Sequence, residues 1–208
     1  MHWRIEQIME WGKDLVLDRL LAFRTPRPLL PEAVARLRVV LVGASVGKAW
    51  RLHVVFPNLR SLAHYAFDKG PVLESAIASR PDAIILKECA AYFPDDGVDR
   101  ALIPRWLQRI RGAGIRPVLA TVVPVTRAHA ARAPGRAEAI RAFNDWLRQL
   151  AADEKVPLLD LEAALRCSPE DRHLDERFDG GDGLHLAGVA YRGRLDPLIP
   201  PLLLRILD

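Results

Sequence analysis

Ser45, Asp182 and His185 are residues whose types can cooperate in nucleophilic catalysis. Ser45 follows a short apolar run in VVLVGASVGKAW (39–50), and Asp182 and His185 stand three residues apart in DGGDGLHLAGVAY (179–191). A carboxylate that accepts from one imidazole nitrogen fixes the tautomer of the ring and leaves the other nitrogen free to take a hydroxyl proton. The three residue types therefore permit a serine nucleophile with a histidine base.

Each of these residues also has a purely structural interpretation. Serine is a common residue at the start of a helix, where its hydroxyl satisfies a free backbone N–H group. Asp182 could equally form a turn beside a histidine at a helix start. The residue types and spacing alone leave both interpretations open.

The glycines around Ser45 suggest a second kind of site, a phosphate-binding loop. Such a loop needs four residues between its glycines, followed by Lys and then Ser or Thr. Gly43 and Gly47 enclose three residues, and Ala49 stands where the hydroxyl residue is required. The sequence therefore disfavours a nucleoside-triphosphate site.

The apolar pattern predicts the elements that must position these side chains. Short apolar runs alternate with helical stretches, which is typical of a parallel sheet covered on both faces. The predicted core strands are 38–42, 82–86, 116–123 and 156–161, with a further short strand possible near 63–67, and the predicted helices are 71–80, 99–113 and 135–153. A last helix follows Leu186 and is broken by Pro197, Pro200 and Pro201.

Ser45 lies at a favourable place in such a sheet. Ligands of open parallel sheets bind beyond the carboxyl ends of the strands, where the strand order reverses. Ser45 directly follows the first core strand, and the segment ATVVPVTRAH (120–129) follows the third. We therefore expect both segments at one edge of the sheet, with Thr121, Thr126, Arg127 and His129 as candidate substrate contacts.

The front of the chain differs from the rest. Residues 1–23 have apolar residues at helical spacing among charges, which predicts an amphipathic helix, and the prolines of RTPRPLLPEA break it. We expect a helix and Pro-rich linker over residues 1–34 and one α/β domain over residues 35–208. The helix could pack on that domain or dock on a partner or a membrane surface.

Composition indicates which binding partners and which cellular compartment to expect. The net charge is +4 and the arginines are scattered, so the sequence shows no clustered footprint for nucleic acid. No apolar run reaches 18 residues, so no membrane span is expected, and no secretory signal is recognised. Cys89 and Cys167 form neither a disulfide framework nor a zinc pattern. These features favour a cytoplasmic protein without a metal.

The arrangement of these motifs resembles the SGNH (GDSL) hydrolase superfamily. A serine just after the first core strand and Asp-x-x-His before the last helix are the main points of resemblance, and residues 144–165 and 182–203 are similar to the closing segments of that superfamily. The resemblance covers residues 38–204. It implies a three-layer α/β/α sandwich of flavodoxin type with about five parallel strands, preceded here by the extra N-terminal helix.

The resemblance also implies an activity. By this likeness the protein is a serine hydrolase that cleaves an ester, acetyl-ester or thioester bond through an acyl-enzyme, without a cofactor. Ser45 would be the nucleophile, His185 the base and Asp182 the carboxylate that orients the base. The substrate would be a small-molecule, carbohydrate or lipid ester.

The sequence departs from the superfamily pattern where donors to an oxyanion are expected. Ala44 replaces the Asp of Gly-Asp-Ser, and Cys89 and Ala91 stand where the third block has Gly and Asn. The candidates for a replacement donor or a substrate contact are Lys48, Gly70, Glu88, Cys89, Ala91 and Thr121. Glu88 could instead pair with Lys87, Lys48 or Arg51. A catalytically impaired binding or scaffold protein on the same fold is the alternative function.

Overall fold

The structure is a computed structural model that describes residues 17–18, 28–94 and 97–207. The N-terminal helix predicted over residues 1–23 lies outside the described residues, except for Leu17 and Asp18, which are helical. Most of the predicted Pro-rich linker also lies outside them. The rest of the chain builds an α/β fold around a central sheet.

The sheet of the described chain has five parallel strands. They lie in the order β2-β1-β3-β4-β5, which is the flavodoxin-like order, so the predicted fold class is confirmed. The strands are Val39–Gly43 (β1), Leu59–Ala63 (β2), Ala83–Lys87 (β3), Arg116–Ala120 (β4) and Leu158–Leu159 (β5).

The strand predicted near 63–67 was placed wrongly. The strand is Leu59–Ala63, and it pairs with β1 from Val39↔Leu59 to Gly43↔Ala63. It lies at the edge of the sheet, and only its first residue is fully buried. An edge strand with one exposed side lacks the continuous apolar run that reveals a buried strand.

Helices cover both faces of the sheet and produce three layers. Alternate residues of β1 divide between the two cores, with Val39 and Leu41 facing one and Val40 and Val42 the other. The first core contains residues of Glu32–Arg36, Ser45–Trp50, Leu52–Val55, Leu161–Leu165, Gly188–Ala190 and Ile199–Leu207. The second contains residues of Gly70–Ala78, Leu102–Gly112 and Arg136–Asp153, and the helix Arg127–Arg132 lies between β4 and Arg136–Asp153 in the chain.

The C-terminal segment agrees with the predicted proline break at Pro197 but not at Pro200 and Pro201. Pro200 and Pro201 fall in the first turn of the helix Ile199–Leu207, where a missing backbone N–H group has no intrahelical partner to lose. Pro197 lies in a short 3₁₀ turn that precedes this helix. Pro197 therefore marks the predicted break after the helical turns of residues 188–195, whereas Pro200 and Pro201 begin the last helix and do not interrupt it.

A buried hydrogen bond joins the C-terminal segment to the helix that follows β1. The indole Nε1–H of Trp50 donates to Asp196 Oδ1 at 2.7 Å. Arg192 donates to the other oxygen of Asp196 at 2.7 Å and to the Trp50 carbonyl at 3.0 Å. These bonds hold the helix Ser45–Trp50 against the segment that begins just after His185.

Candidate active site

Ser45 is the first residue of the helix Ser45–Trp50, directly beyond the carboxyl end of β1. Strand order reverses at β1, because β2 and β3 lie on its two sides. The crevice at such a reversal is where open α/β sheets bind ligands. Ser45 is partly exposed there, whereas Ala44 and Val46 on either side of it are buried.

The two glycines near Ser45 allow close packing of this helix on the sheet. A Cβ atom at Gly47 would lie 2.6 Å from Leu41 Cδ2, and one at Gly43 would lie 3.1 Å from the same atom. A side chain at position 47 would therefore require either the Leu41 side chain or the helix to move. This packing explains the glycine spacing without a phosphate loop.

Asp182 and His185 lie in a tight loop closed by backbone hydrogen bonds. The Gly180 N–H donates to the His185 carbonyl at 2.7 Å, and the Ala187 N–H donates to the Phe178 carbonyl at 2.9 Å. Gly183 has a φ of +78°, a conformation that suits glycine. The Gly-rich sequence thus folds into a loop that turns Asp182 back toward the ring of His185.

The three side chains singled out by the sequence lie in hydrogen-bond contact. His185 Nδ1 lies 2.6 Å from Asp182 Oδ2, and His185 Nε2 lies 3.1 Å from Ser45 Oγ. Since a carboxylate only accepts, Nδ1 carries the proton and donates it to Asp182. Nε2 is then the acceptor that faces the hydroxyl, so the geometry permits proton transfer from Ser45 to His185.

The environment of Asp182 keeps its carboxyl group ionised. Burial alone would raise its pKa, but hydrogen bonds from the His185 ring and from the backbone N–H groups of His185 and Leu184 hold the pKa well below its usual range. The two backbone donors lie 2.8 and 2.9 Å from Oδ1. Asp182 is therefore an anion that can stabilise positive charge on His185.

The candidate site is open to solvent. The side chains of Asp182 and His185 are 54% and 47% exposed. Little side-chain packing therefore surrounds the acid–histidine pair. Its orientation depends on the backbone of the loop that carries it.

A buried ion pair lies at the carboxyl end of β3. Lys69 Nζ is 2.8 Å from Glu88 Oε2, and both side chains are almost fully inaccessible to solvent. Glu88 was expected to pair with Lys87, Lys48 or Arg51; the ion pair exists, but the partner in it is Lys69. Lys69 lies just before the helix Gly70–Ala78, and the pair therefore ties the loop after β2 to the loop after β3.

Burial shifts the protonation of the groups around this ion pair. Lys87 is also buried and its Nζ donates to the Glu88 carbonyl at 2.7 Å. Burial lowers the pKa of Lys87 to about 8. Burial raises the pKa of Glu88, although Lys69 opposes that shift, and Glu88 Oε1 has no hydrogen-bond partner among the described residues.

The remaining candidates for oxyanion donors differ in their exposure to solvent and in whether they offer a free donor. Cys89 is buried, whereas Ala91, in the 3₁₀ turn Ala90–Tyr92, and Lys48, on the helix after Ser45, are exposed. The methyl group of Ala91 cannot donate a hydrogen bond. The Gly70 N–H donates to Asp68 Oδ1 at 2.8 Å, so that donor is already engaged, contrary to the role expected for it.

Thr121 lies inside the protein and not, as expected, at the mouth of the site. It is fully buried. Its hydroxyl donates to Asp160 Oδ1 at 3.1 Å and accepts from the Glu162 N–H at 2.9 Å. Thr121, the residue after β4, points into the protein and away from solvent. Its hydrogen bonds therefore join β4 to the turn after β5.

Sequence reasoning missed two linked contacts, one from His129 to the loop that carries Asp182 and one from Arg136 to His129. His129 Nδ1 lies 3.0 Å from the Asp182 carbonyl oxygen, and Arg136 Nη1 lies 2.7 Å from His129 Nε2. The sequence placed His129 at the correct edge of the sheet, as a substrate contact. It carried no signal for a contact to a backbone carbonyl 53 residues away.

The described part of the chain lacks the features of two other classes of site. No group of three or more His, Cys, Asp or Glu residues there could hold a metal ion. No helix among the described residues is long and apolar enough to cross a membrane.

The chain matches the model of a known protein family. The model described as the GDSL-like Lipase/Acylhydrolase family matches residues 68–192, which is more than half of the chain and includes Asp182 and His185. Ser45 precedes the matched region. No curated protein sequence matches the chain significantly.

Solved structures share the fold at low sequence identity. A GDSL-like lipase from Bacteroides thetaiotaomicron superposes with a TM-score of 0.64 at 16% identity, over 88% of this chain and 95% of that one. A lipase/acylhydrolase from Enterococcus faecalis gives 0.57 at 17% identity, over 81% and 94%. An acetyl xylan esterase gives 0.58 at 16% identity, over 76% and 95%. At these identities the likeness shows the fold.

Proposed function

Because the chain belongs to the GDSL-like lipase/acylhydrolase family, we propose that it is a serine hydrolase acting through Ser45, His185 and Asp182. Family membership supports hydrolase activity of the esterase or acylhydrolase type. The observation that carries the finer proposal is the unbroken line of contacts from Ser45 Oγ through the His185 ring to Asp182. The bond cleaved is an ester, acetyl-ester or thioester bond.

The first half of the reaction forms an acyl-enzyme. His185 Nε2 takes the proton of the Ser45 hydroxyl as its oxygen attacks the acyl carbon of the substrate. Asp182 accepts from Nδ1–H and stabilises the imidazolium that results. When the tetrahedral intermediate collapses, the imidazolium gives its proton to the departing alcohol or thiol, and the acyl group stays on Ser45.

The second half releases the acid. A water molecule donates a proton to His185 Nε2 and attacks the acyl carbon. The second tetrahedral intermediate then expels Ser45, whose oxygen recovers the proton from His185. The net reaction consumes one water and yields an acid and an alcohol or thiol, with no external cofactor.

Stabilisation of the oxyanion is the step in which this chain departs from the superfamily pattern. Ser45 is the first residue of its helix, so its N–H has no acceptor within the helix and can serve one tetrahedral oxygen. Ala91 supplies no side-chain donor. Loss of one oxyanion donor costs a factor of about 10²–10³ in kcat, and we therefore expect slow turnover of simple esters.

Removal of the Ser45 hydroxyl tests the proposal. Ser45→Ala is expected to abolish hydrolysis of a short-chain nitrophenyl ester while leaving the melting temperature unchanged, because the side chain is small and only partly buried. Ser75→Ala is the matched control, since Ser75 is exposed on the helix Gly70–Ala78. Equal turnover by Ser45→Ala and the wild type would refute the assignment.

A fluorophosphonate probe separates a hydrolase from a binding protein on the same fold. Such a probe reacts with an activated serine, so labelling should occur on Ser45 and should disappear in both Ser45→Ala and His185→Ala. Wild-type protein that binds esters but is neither labelled nor able to turn them over would favour the noncatalytic alternative.

A further inference from the structure

The backbone of Asp182 is held by a hydrogen-bond chain outside the candidate catalytic residues. Arg136 Nη1 lies 2.7 Å from His129 Nε2, and His129 Nδ1 lies 3.0 Å from the Asp182 carbonyl oxygen. A guanidinium group can only donate and a carbonyl can only accept. His129 must therefore be neutral in this arrangement, with its proton on Nδ1.

The far end of this chain is anchored in the loop after β3. Arg136 Nε donates to the Phe93 carbonyl at 2.7 Å, and Arg136 begins the long helix Arg136–Asp153. One nitrogen of the guanidinium is thus held by a backbone acceptor while another contacts His129. The chain joins the loop after β3 to the carbonyl of Asp182.

The loop also fits closely against the start of the helix Arg127–Arg132. The Thr126 N–H donates to the Gly183 carbonyl at 3.0 Å. A Cβ atom at Gly183 would lie 2.4 Å from Thr126 Oγ1 and 2.6 Å from His129 Cβ. The backbone of residues 182 and 183 therefore rests directly on residues 126 and 129.

Arg132 contributes a weaker contact to the same acceptor. Its Nη2 lies 3.3 Å from the Asp182 carbonyl oxygen, just beyond the usual range for N–H···O hydrogen bonds, and the residue is exposed. His129 is partly buried and has its orientation fixed from both sides. His129 is therefore the main side-chain donor that positions this carbonyl.

We propose that His129 is a positioning residue for the acid–histidine pair and that Arg136 sets the tautomer in which it acts. Asp182 and His185 are too exposed for packing to fix them, so the loop backbone must do so. The Asp182 carbonyl is bound by His129, while the Asp182 carboxylate binds His185. This inference rests on the proposed function, because positioning by His129 matters for catalysis only if His185 must face Ser45.

Three variants test the hydrogen-bond chain from Arg136 through His129 to Asp182. His129→Leu removes the donor at similar size, His129→Asn keeps an N–H donor near the position of Nδ1, and Arg136→Met removes the group that sets the tautomer. A misplacement of about 1 Å in a catalytic group can cost about 10²-fold in rate. We expect His129→Leu to lower kcat on a short-chain nitrophenyl ester by about 10–100-fold with KM within twofold, Arg136→Met to lower it less, and His129→Asn to recover most of it.

Proton NMR supplies a readout that does not depend on turnover. The His185 Nδ1–H in the hydrogen bond to Asp182 should give a low-field resonance in the wild type and in His129→Asn. The resonance should broaden or disappear in His129→Leu, because the acid and the ring lose their fixed alignment. A side chain that merely stabilises the fold would lower the melting temperature without this selective loss.

The matched control is Arg109→Met, which removes an arginine that pairs with Glu74 on the exposed surface. It should leave kcat and the resonance unchanged. Wild-type kcat and an unchanged resonance in His129→Leu would overturn the inference, as would equal losses in Arg136→Met and Arg109→Met. If His129→Leu does not fold, kcat and the low-field resonance of His129→Asn and Arg136→Met are compared instead. A smaller loss in His129→Asn than in Arg136→Met supports the inference, and equal values contradict it. Failure of the proposed function would appear separately, as wild-type protein whose Ser45 is not labelled by the fluorophosphonate.

Discussion

Asp182 accepts hydrogen bonds with both of its carboxylate oxygens. One oxygen accepts from two backbone N–H groups, and the other accepts from the ring of His185. The backbone bonds orient the carboxylate, and the ring bond keeps the proton of His185 on Nδ1. In the proposed reaction the carboxylate therefore selects the tautomer that leaves Nε2 free for Ser45.

Asp182→Asn is expected to lower kcat strongly at constant structure. An amide can donate to Nδ1 and so favours the tautomer with its proton on Nε2, which cannot accept from Ser45. The corresponding substitution in a serine protease costs about 10⁴-fold, and a loss of about 10³–10⁴-fold is expected here. Single-turnover kinetics with a nitrophenyl ester measure it. A loss smaller than tenfold would show that Asp182 does not orient the base.

The depressed pKa of Asp182 also predicts a dependence of stability on pH. Its pKa is lower in the folded state than in the unfolded state, so this interaction stabilises the protein above about pH 4 and the contribution declines as the pH falls through the folded pKa. The difference in unfolding free energy between the wild type and Asp182→Asn should thus shrink on acidification. Urea denaturation at pH 7 and pH 3 provides the comparison.

Individual residues differ in how far the sequence predicts their contacts. Ser45, Asp182 and His185 were indicated by their types, their spacing and their places at the ends of elements. The contacts of His129 to Asp182 and of Lys69 to Glu88 were not predicted, because each depends on how two loops meet in space. Thr121 was expected at the surface, but the sequence does not show that its hydroxyl finds two buried partners.

At the scale of elements, the loops after β2 and β3 share one buried ion pair. Lys69 and Glu88 are both nearly inaccessible to solvent, and Lys69 Nζ also donates to the Ala66 carbonyl at 2.8 Å. An isolated charge at this depth is costly. The two loops that frame the crevice beside Ser45 therefore depend on each other for their structure.

Lys69→Met is expected to destabilise the protein by about 3–5 kcal/mol, because it leaves Glu88 buried without its cation. The double variant Lys69→Met/Glu88→Leu should recover much of that loss, since it removes both charges. Urea denaturation of the two single variants and the double variant measures the coupling. Arg109→Met is the control, because its exposed pair with Glu74 should contribute at most about 1 kcal/mol.

A purely additive double variant would contradict this interpretation of the ion pair. In that case the two side chains would act independently, and their close contact would contribute nothing specific to the loops.

The elements themselves were predicted with uneven success for a physical reason. The strands β1 and β3 are buried along their whole length, and both are apolar runs in the sequence except for Lys87 at the end of β3. The edge strand β2 includes Arg60 and Ser61, which interrupt the apolar pattern, so it was placed too late in the chain. The prolines of the last segment were predicted correctly at Pro197, where the helical turns break, but not at Pro200 and Pro201, which occupy the first turn of the last helix.

At the scale of the whole molecule, the hydrogen bond from Trp50 to Asp196 connects residues 146 positions apart. Trp50 is fully buried in the core on one face of the sheet. The bond fixes the helix that begins at Ser45 relative to the C-terminal segment. Both sides of the candidate active site thus share one internal anchor.

Trp50→Phe is expected to destabilise the protein by about 1–3 kcal/mol beyond the loss of packing, because Asp196 Oδ1 then lacks its indole donor. Trp106→Phe is the matched control on the opposite face of the sheet, where Trp106 packs among Phe67 and other apolar residues. Urea denaturation compares the two. Equal losses would show that packing, and not the hydrogen bond, accounts for the effect.

The contact between Ser45 and His185 spans 140 positions of the chain. A ribosome that has synthesised the first half of the protein has made the hydroxyl group but not the imidazole that would activate it. In the proposed mechanism a nascent chain therefore lacks its general base until residue 185 has emerged and folded back against Ser45. A chain truncated before residue 185 would, in the proposed mechanism, carry Ser45 without the imidazole that activates it.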